Sequence, residues 1–115
     1  MKSGTQIKIG CDIAKVERFK KIDSKSLSKI FYDDELKKNN LQSVAGMFAA
    51  KESCRKVFKD LGWHDIKIGK RFNGKPYLIL NEKKLGKKKI LSHDVSISHD
   101  GDNAIAIAVF IIKGS

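Results

Sequence analysis

A chain of 115 residues can build one modest hydrophobic core, and 41% hydrophobic content suits a single folded soluble domain over residues 1–115. Two cysteines outside any CxxC motif exclude a disulfide framework, and the longest apolar run, Ala104 to Ile112, is too short to cross a bilayer as a helix. Twenty-four Lys and Arg against 13 Asp and Glu leave +11, which predicts an anionic partner without choosing among nucleic acid, anionic lipid, a phosphorylated small molecule and an acidic protein.

Met1 to Lys8 has no apolar h-region, so no secretory signal is expected, and a reducing cytoplasm fits the cysteine usage. Gln6 to Ile13 alternates, with Ile7, Ile9, Cys11 and Ile13 to one side and Gln6, Lys8, Gly10 and Asp12 to the other, which predicts a half-buried strand. Gly10 leaves room for another backbone or a ligand. Asp12, at the strand end, reads either as a metal ligand or as the N-cap of the next helix. Cys11 in this strand and Cys54 in a later helix read as small buried hydrophobes. Ala14 to Ile22 predicts a short helix with Val16 and Phe19 inward. Its outward Lys15, Arg18, Lys20 and Lys21 form either a solvated face or a docking surface for something acidic. Leu27, Ile30 and Phe31 suggest another short helical piece, and Tyr32 to Leu36 a helix start with acids in its first turn.

Leu41 to Leu61 reads as the one long helix. Leu41, Ala45 and Phe48 make an apolar stripe, while Met47, Cys54, Phe58 and Leu61 drift onto a second side, so two-sided packing is expected. Glu52 falls within about 40° of Phe48 at 100° per residue, and a carboxylate there is costly unless a cation meets it. Lys56, at i+4, gives either a surface Glu–Lys pair or part of a site.

After Gly62 the period changes. Ile66 and Ile68 begin a strand, Asn73-Gly74 gives a two-residue hairpin signal, and Pro76 to Leu80 forms the return strand. The Gly74-Lys75-Pro76 corner is either structural or a cation and bare backbone for a phosphate. Asn81 to Leu91 predicts a basic helix, whose Lys83, Lys84, Lys87, Lys88 and Lys89 support a nucleic-acid reading; the other reading is a solvated surface. Val95, Ile97 and His99 alternate with Asp94, Ser96 and Ser98 as a strand. Asp100 to Asn103 makes a turn, and Ala104 to Ile112, apolar on both faces, belongs mid-sheet. His99 reads as an anion ligand or a hydrogen-bonded core residue.

Four segments in order resemble one family. Ile9-Gly-Cys-Asp-Ile-Ala-Lys-Val-Glu-Arg18 resembles its G-x-D followed by a helical Arg, Phe48-Ala-Ala-Lys-Glu-Ser-Cys-Arg-Lys56 its F-A-A-K-E-x-x-x-K helix, and Val95-Ser-Ile-Ser-His99 its V-S-I-S-H strand; Asn73-Gly-Lys-Pro76 is similar to a family hairpin. The family is the 4′-phosphopantetheinyl transferases of the small holo-acyl-carrier-protein synthase type. The resemblance implies an α/β (α+β) fold, an antiparallel-rich sheet packed on one long helix. It implies Mg²⁺-dependent transfer of 4′-phosphopantetheine from coenzyme A to a serine of apo acyl carrier protein, releasing 3′,5′-ADP, in fatty acid biosynthesis.

Carried over by residue, it implies Asp12 and Glu52 as Mg²⁺ ligands, with Lys56 completing the catalytic set. Lys56 and His99 would meet the coenzyme A phosphates, Gly74, Lys75 and Pro76 would line the nucleotide, and Arg18 would take carrier-protein acids. A carboxylate or a metal-held water would serve as base. A homotrimer with sites between subunits is also implied, with no nucleic-acid or membrane partner. Many members have Arg where Met47 stands, and Lys51 and Arg55 are the nearby cations that would compensate. The competing readings are a basic nucleic-acid-binding α/β module and a carrier-binding domain without catalysis.

Overall fold

The computed structural model describes residues 4–37 and 39–114. Strand β1 (Thr5–Lys15) is followed by a 3₁₀ turn (Val16–Lys20), helices α1 (Ser24–Ile30), α2 (Asp33–Leu36) and α3 (Leu41–Val57), then strands β2 (Ile66–Lys70), β3 (Pro76–Leu80), β4 (Lys89–Asp100) and β5 (Asn103–Lys113). Strands β1, β5 and β4 form an antiparallel sheet with β5 in the middle, as its two apolar faces predict, and β2 and β3 form a separate hairpin. Helix α3 packs across the sheet and also meets β2.

Close packing of α3 on the sheet depends on small side chains. A Cβ on Gly10 would lie 1.9 Å from the Ser53 carbonyl oxygen, so only glycine lets β1 touch the helix backbone. Ala104, Ala106 and Ala108 share that face of the sheet, and Ala45, Ala49 and Ala50 answer from α3, all buried. The Ser53 hydroxyl lies 3.0 Å from the Ala106 carbonyl oxygen, tying helix to sheet.

The buried side of β1 is therefore the side without the isoleucines. Ile7, Ile9 and Ile13 are 68%, 65% and 63% exposed, and Ile105, Ile107 and Ile111 of β5 continue the same apolar surface. Cys11 lies on it and is exposed, against expectation, whereas Cys54 is buried and its thiol is pushed up to about 12 by that burial.

Other boundaries move for local reasons. β1 runs on to Lys15, so the helix expected over Ala14 to Ile22 is a single 3₁₀ turn; Val16 and Phe19 are buried as predicted. Its first N–H, that of Val16, bonds the Asp102 carbonyl and so pins the turn to the β4–β5 hairpin. Helix α3 starts at the Asn40 cap, whose side chain accepts from Ser43 N, and ends at Val57 rather than Leu61. Phe58 turns extended and packs edge-on against Phe110, 4.8 Å between centroids.

The β2–β3 connection is the longer loop Arg71–Lys75. Gly74, at φ +90°, donates its N–H to the Arg71 carbonyl, and the ladder resumes only at Pro76 opposite Lys70. The basic segment is a short 3₁₀ turn (Glu82–Leu85) and not a helix, because Gly86 at φ +67° ends it and Lys89 already belongs to β4.

Candidate active site

Asp12 sits two residues beyond Gly10 on the helix-facing side of β1, so its carboxylate meets the last turns of α3. Lys56 Nζ lies 3.1 Å from Asp12 Oδ1 and 2.8 Å from the Cys11 carbonyl oxygen. Asp12 is not a cap: Lys15 holds the N-cap position of the following turn, without a side-chain bond. Glu52 lies one turn before Lys56. The expected Glu52–Lys56 pair is absent, because Lys56 finds two acceptors on β1 while Glu52 turns to other donors. Its Oε1 accepts from Arg55 Nη1 and from Trp63 Nε1, each at 2.8 Å. Glu52, Arg55, Lys56 and Lys59 border an open hollow of ≈ 290 Å³. Glu52 is the carboxylate on this hollow, and Asp12 reaches it through Lys56. Among the described residues no group of three or more His, Cys, Asp and Glu gathers as a metal site, here or elsewhere.

A second group gathers elsewhere. Gly74, Pro76 and His99 line a groove of ≈ 560 Å³ together with Met47, Ser43 and the cations Lys37, Lys67 and Lys70. His99 is exposed, so it is not a core residue. Lys75 turns aside: its Nζ lies 2.8 Å from Asp94 Oδ1 and holds that carboxyl below its usual range. At 3.6 residues per turn, Met47 and Lys56 project about 180° apart on α3, as do Ser43 and Glu52. The Asp12–Glu52–Lys56 cluster and the hairpin groove thus lie on opposite faces of one helix, and a single chain does not bring them together.

Arg18, on the 3₁₀ turn, lies over the Phe48 ring at 4.9 Å. With Lys15 and Lys21 it lines a third hollow of ≈ 600 Å³ whose edge includes Ile13, on the face of β1 away from Asp12. Lys51 cannot stand in for a phosphate-binding arginine at Met47. It is wholly buried, with Nζ 2.8 Å from Glu35 Oε1 and 2.8 Å from the Ile30 carbonyl oxygen. Burial pulls its amine down against the opposing pull of Glu35. Arg55 is likewise committed, to Glu52 and the Leu61 carbonyl. The roles of Glu35, Arg55 and Trp63 were not evident from the sequence. Only Arg55, at i+3 from Glu52, carried a local signal.

The class of protein, a transferase, follows from comparison with known families and structures. The family described as the 4′-phosphopantetheinyl transferase superfamily matches residues 8–109. The chain is 35% identical over 109 residues to holo-[acyl-carrier-protein] synthase of Sulfurimonas denitrificans, covering 86% of this chain and 90% of that one. The structure of Helicobacter pylori holo-[acyl-carrier-protein] synthase in complex with coenzyme A superposes with a TM-score of 0.78 at 34% identity, over 90% of this chain and 99% of that one. The Bacillus anthracis holo-(acyl-carrier-protein) synthase, in complex with CoA (3′,5′-ADP), gives 0.75 at 30% identity, over 90% and 94%. The chain therefore belongs to the 4′-phosphopantetheinyl transferase superfamily, within its holo-[acyl-carrier-protein] synthase family.

Proposed function

We propose that this chain transfers 4′-phosphopantetheine from coenzyme A to a serine of an apo acyl carrier protein, releasing 3′,5′-ADP, as a step serving fatty acid biosynthesis in the cytoplasm. The meeting of Asp12 on β1 with Lys56 on α3, one turn beyond Glu52 and beside it on the same hollow, carries the reading together with the family match. In the transfer the serine oxygen bonds to the β-phosphorus, the bond from that phosphorus to the nucleotide's phosphate oxygen breaks, and the serine proton leaves to a carboxylate or to water.

Asp12 and Glu52 would hold Mg²⁺. The donor chemistry fits: two hard carboxylates, with Glu52 Oε2 accepting none of the side-chain bonds among the described residues, would leave most of the shell to water and diphosphate oxygens. Bound there, the ion supplies neutralisation of the diphosphate. Lys56, 56% exposed at its side chain, is held by the Cys11 carbonyl close enough to Asp12 to reach a phosphate beside it. The hollow around Arg18, with Lys15 and Lys21 beside it, suits the acidic surface of a carrier protein.

His99, Gly74 and Pro76 are proposed to receive the nucleotide part of coenzyme A, with Lys75 joining them by leaving its pair with Asp94. Their position across α3 from Glu52 and Lys56 supports a site shared between subunits, in which one copy offers the carboxylates and the next offers the groove. The exposed Ile7, Ile9, Ile13, Ile105, Ile107 and Ile111 surface supports a homotrimer closed on that face.

The test is direct. The chain is incubated with coenzyme A, Mg²⁺ and an apo acyl carrier protein, and the carrier is weighed. A gain of one phosphopantetheine, dependent on Mg²⁺, is expected; an unmodified carrier overturns the proposal.

A further inference from the structure

Two donors from different parts of the chain meet on one oxygen of Glu52. Arg55 Nη1 comes from the next turn of α3, and Trp63 Nε1 from beyond the helix end; both stand 2.8 Å from Oε1. Arg55 is itself fixed, with Nε 2.9 Å from the Leu61 carbonyl oxygen and its guanidinium 4.7 Å from the centre of the Trp63 ring. The Trp63 ring in turn packs beside Phe48, 6.4 Å between centroids. The three side chains form a braced unit. It saturates Oε1, while Oε2 accepts none of the side-chain bonds that reach Glu52 among the described residues.

We infer that Arg55 and Trp63 are positioning residues that hold Glu52 by Oε1 so that Oε2 alone is presented to the divalent cation. The inference rests on the metal role proposed for Glu52. Fixing a ligand's second oxygen lowers the freedom it loses on metal binding, and partners of this kind typically affect metal affinity about 10- to 100-fold. A bare Arg55–Glu52 ion pair predicts the reverse, since a competing cation weakens metal binding and its removal strengthens it.

The test uses Mn²⁺ as probe, with saturating coenzyme A, and reads free Mn²⁺ by electron paramagnetic resonance. Trp63 is the chain's one tryptophan, so its emission is a second readout. Wild-type protein should bind Mn²⁺ saturably with a matching change in emission, and Glu52→Gln should lose both. Trp63→Phe keeps the ring against Phe48, and Arg55→Ala removes the brace; each should weaken Mn²⁺ binding about 10-fold with an unchanged thermal midpoint. Arg55→Lys should recover part of the loss. Should Trp63→Phe and Arg55→Ala bind Mn²⁺ as tightly as wild type, or tighter, while Glu52→Gln binds none, the positioning role is overturned and the metal role stands. Binding of Mn²⁺ that is absent in wild type, or indifferent to Glu52→Gln, overturns the metal role and the inference with it.

Discussion

Lys51 and Glu35 form a wholly buried ion pair, 2.8 Å from Nζ to Oε1, that joins α3 to α2 in the centre of the molecule. The same carboxylate accepts the Ile68 N–H through Oε2 and the Tyr32 N–H through Oε1, both at 2.8 Å. One side chain therefore fixes the start of α2 and the edge of β2 against the helix that carries Glu52. Lys51→Ala strands that carboxylate in the interior and should cost about 3–5 kcal/mol, read by urea denaturation. A loss below about 1 kcal/mol would show that the pair holds nothing together.

Gly10 offers the second packing prediction. Its missing Cβ is the space occupied by the Ser53 carbonyl, and that neighbour is helix backbone, which cannot turn aside. Gly10→Ala should force β1 from α3 and cost at least about 3 kcal/mol, within the range of overpacking or more. Since Asp12 reaches Lys56 only while β1 lies on α3, the variant should lose activity in step with stability. A near-normal melting point would refute the contact.

These two cases show where sequence reading succeeds and stops. Glu52 stood out because a carboxylate in line with a core stripe needs a cation, and the fold answers it with Arg55, not Lys56; Asp12, read as a metal ligand or a cap, meets Lys56 instead. Alternation in β1 separated its faces correctly, yet period two cannot say which face the helix covers. The signal lay instead in small residues, Gly10 and the alternating alanines of β5, which admit a helix backbone that isoleucines would exclude. The basic helix failed for another reason: Gly86 adopts positive φ and ends the turn after Leu85, a backbone choice that lysine content does not reveal. Trp63 could not be placed near Glu52 because the contact crosses the chain reversal after α3.

The carboxylates give a chemical prediction. Asp12→Asn and Glu52→Gln keep shape and remove charge, so each should lower Mg²⁺-dependent transfer at least about 100-fold with an unchanged melting point. Lys56→Ala should raise the KM for coenzyme A about 10-fold, as expected for one phosphate contact. Wild-type turnover in either carboxylate variant would remove the metal role, and unaltered kinetics for coenzyme A would remove that of Lys56.

The isoleucine surface makes an oligomer prediction. Ile9 and Ile107 are 65% and 42% exposed on adjacent strands of the same face. Ile9→Glu with Ile107→Glu puts like charges where subunits are proposed to meet, and should reduce the sedimenting mass to that of a single chain while far-ultraviolet circular dichroism stays native. Because the proposed site needs groups from both faces of α3, transfer should fall with the mass. A fully active single chain would end the shared-site proposal.

Asp65 gives the pH dependence. Its carboxylate accepts from Asn81 Nδ2 at 3.0 Å and from Gly62 N–H at 2.8 Å, with Lys84 Nζ at 3.0 Å. These bonds, Asn81 first, hold its pKa at about 2, below the ordinary 3.8. A carboxylate depressed on folding stabilises the native state above its unfolded pKa, and that stabilisation is lost as pH falls from about 4 to about 2. Solvent near the half-exposed Lys84 limits the effect to about 1–2 kcal/mol. Asp65→Asn should therefore be less stable than wild type by about that amount at pH 6, and the gap should narrow through about pH 2 and close below it, where the protonated wild-type acid makes the same reduced set of bonds. Denaturation midpoints of the two proteins across that range decide it: a gap that stays constant with pH would mean that Asp65 acts through shape and not through charge.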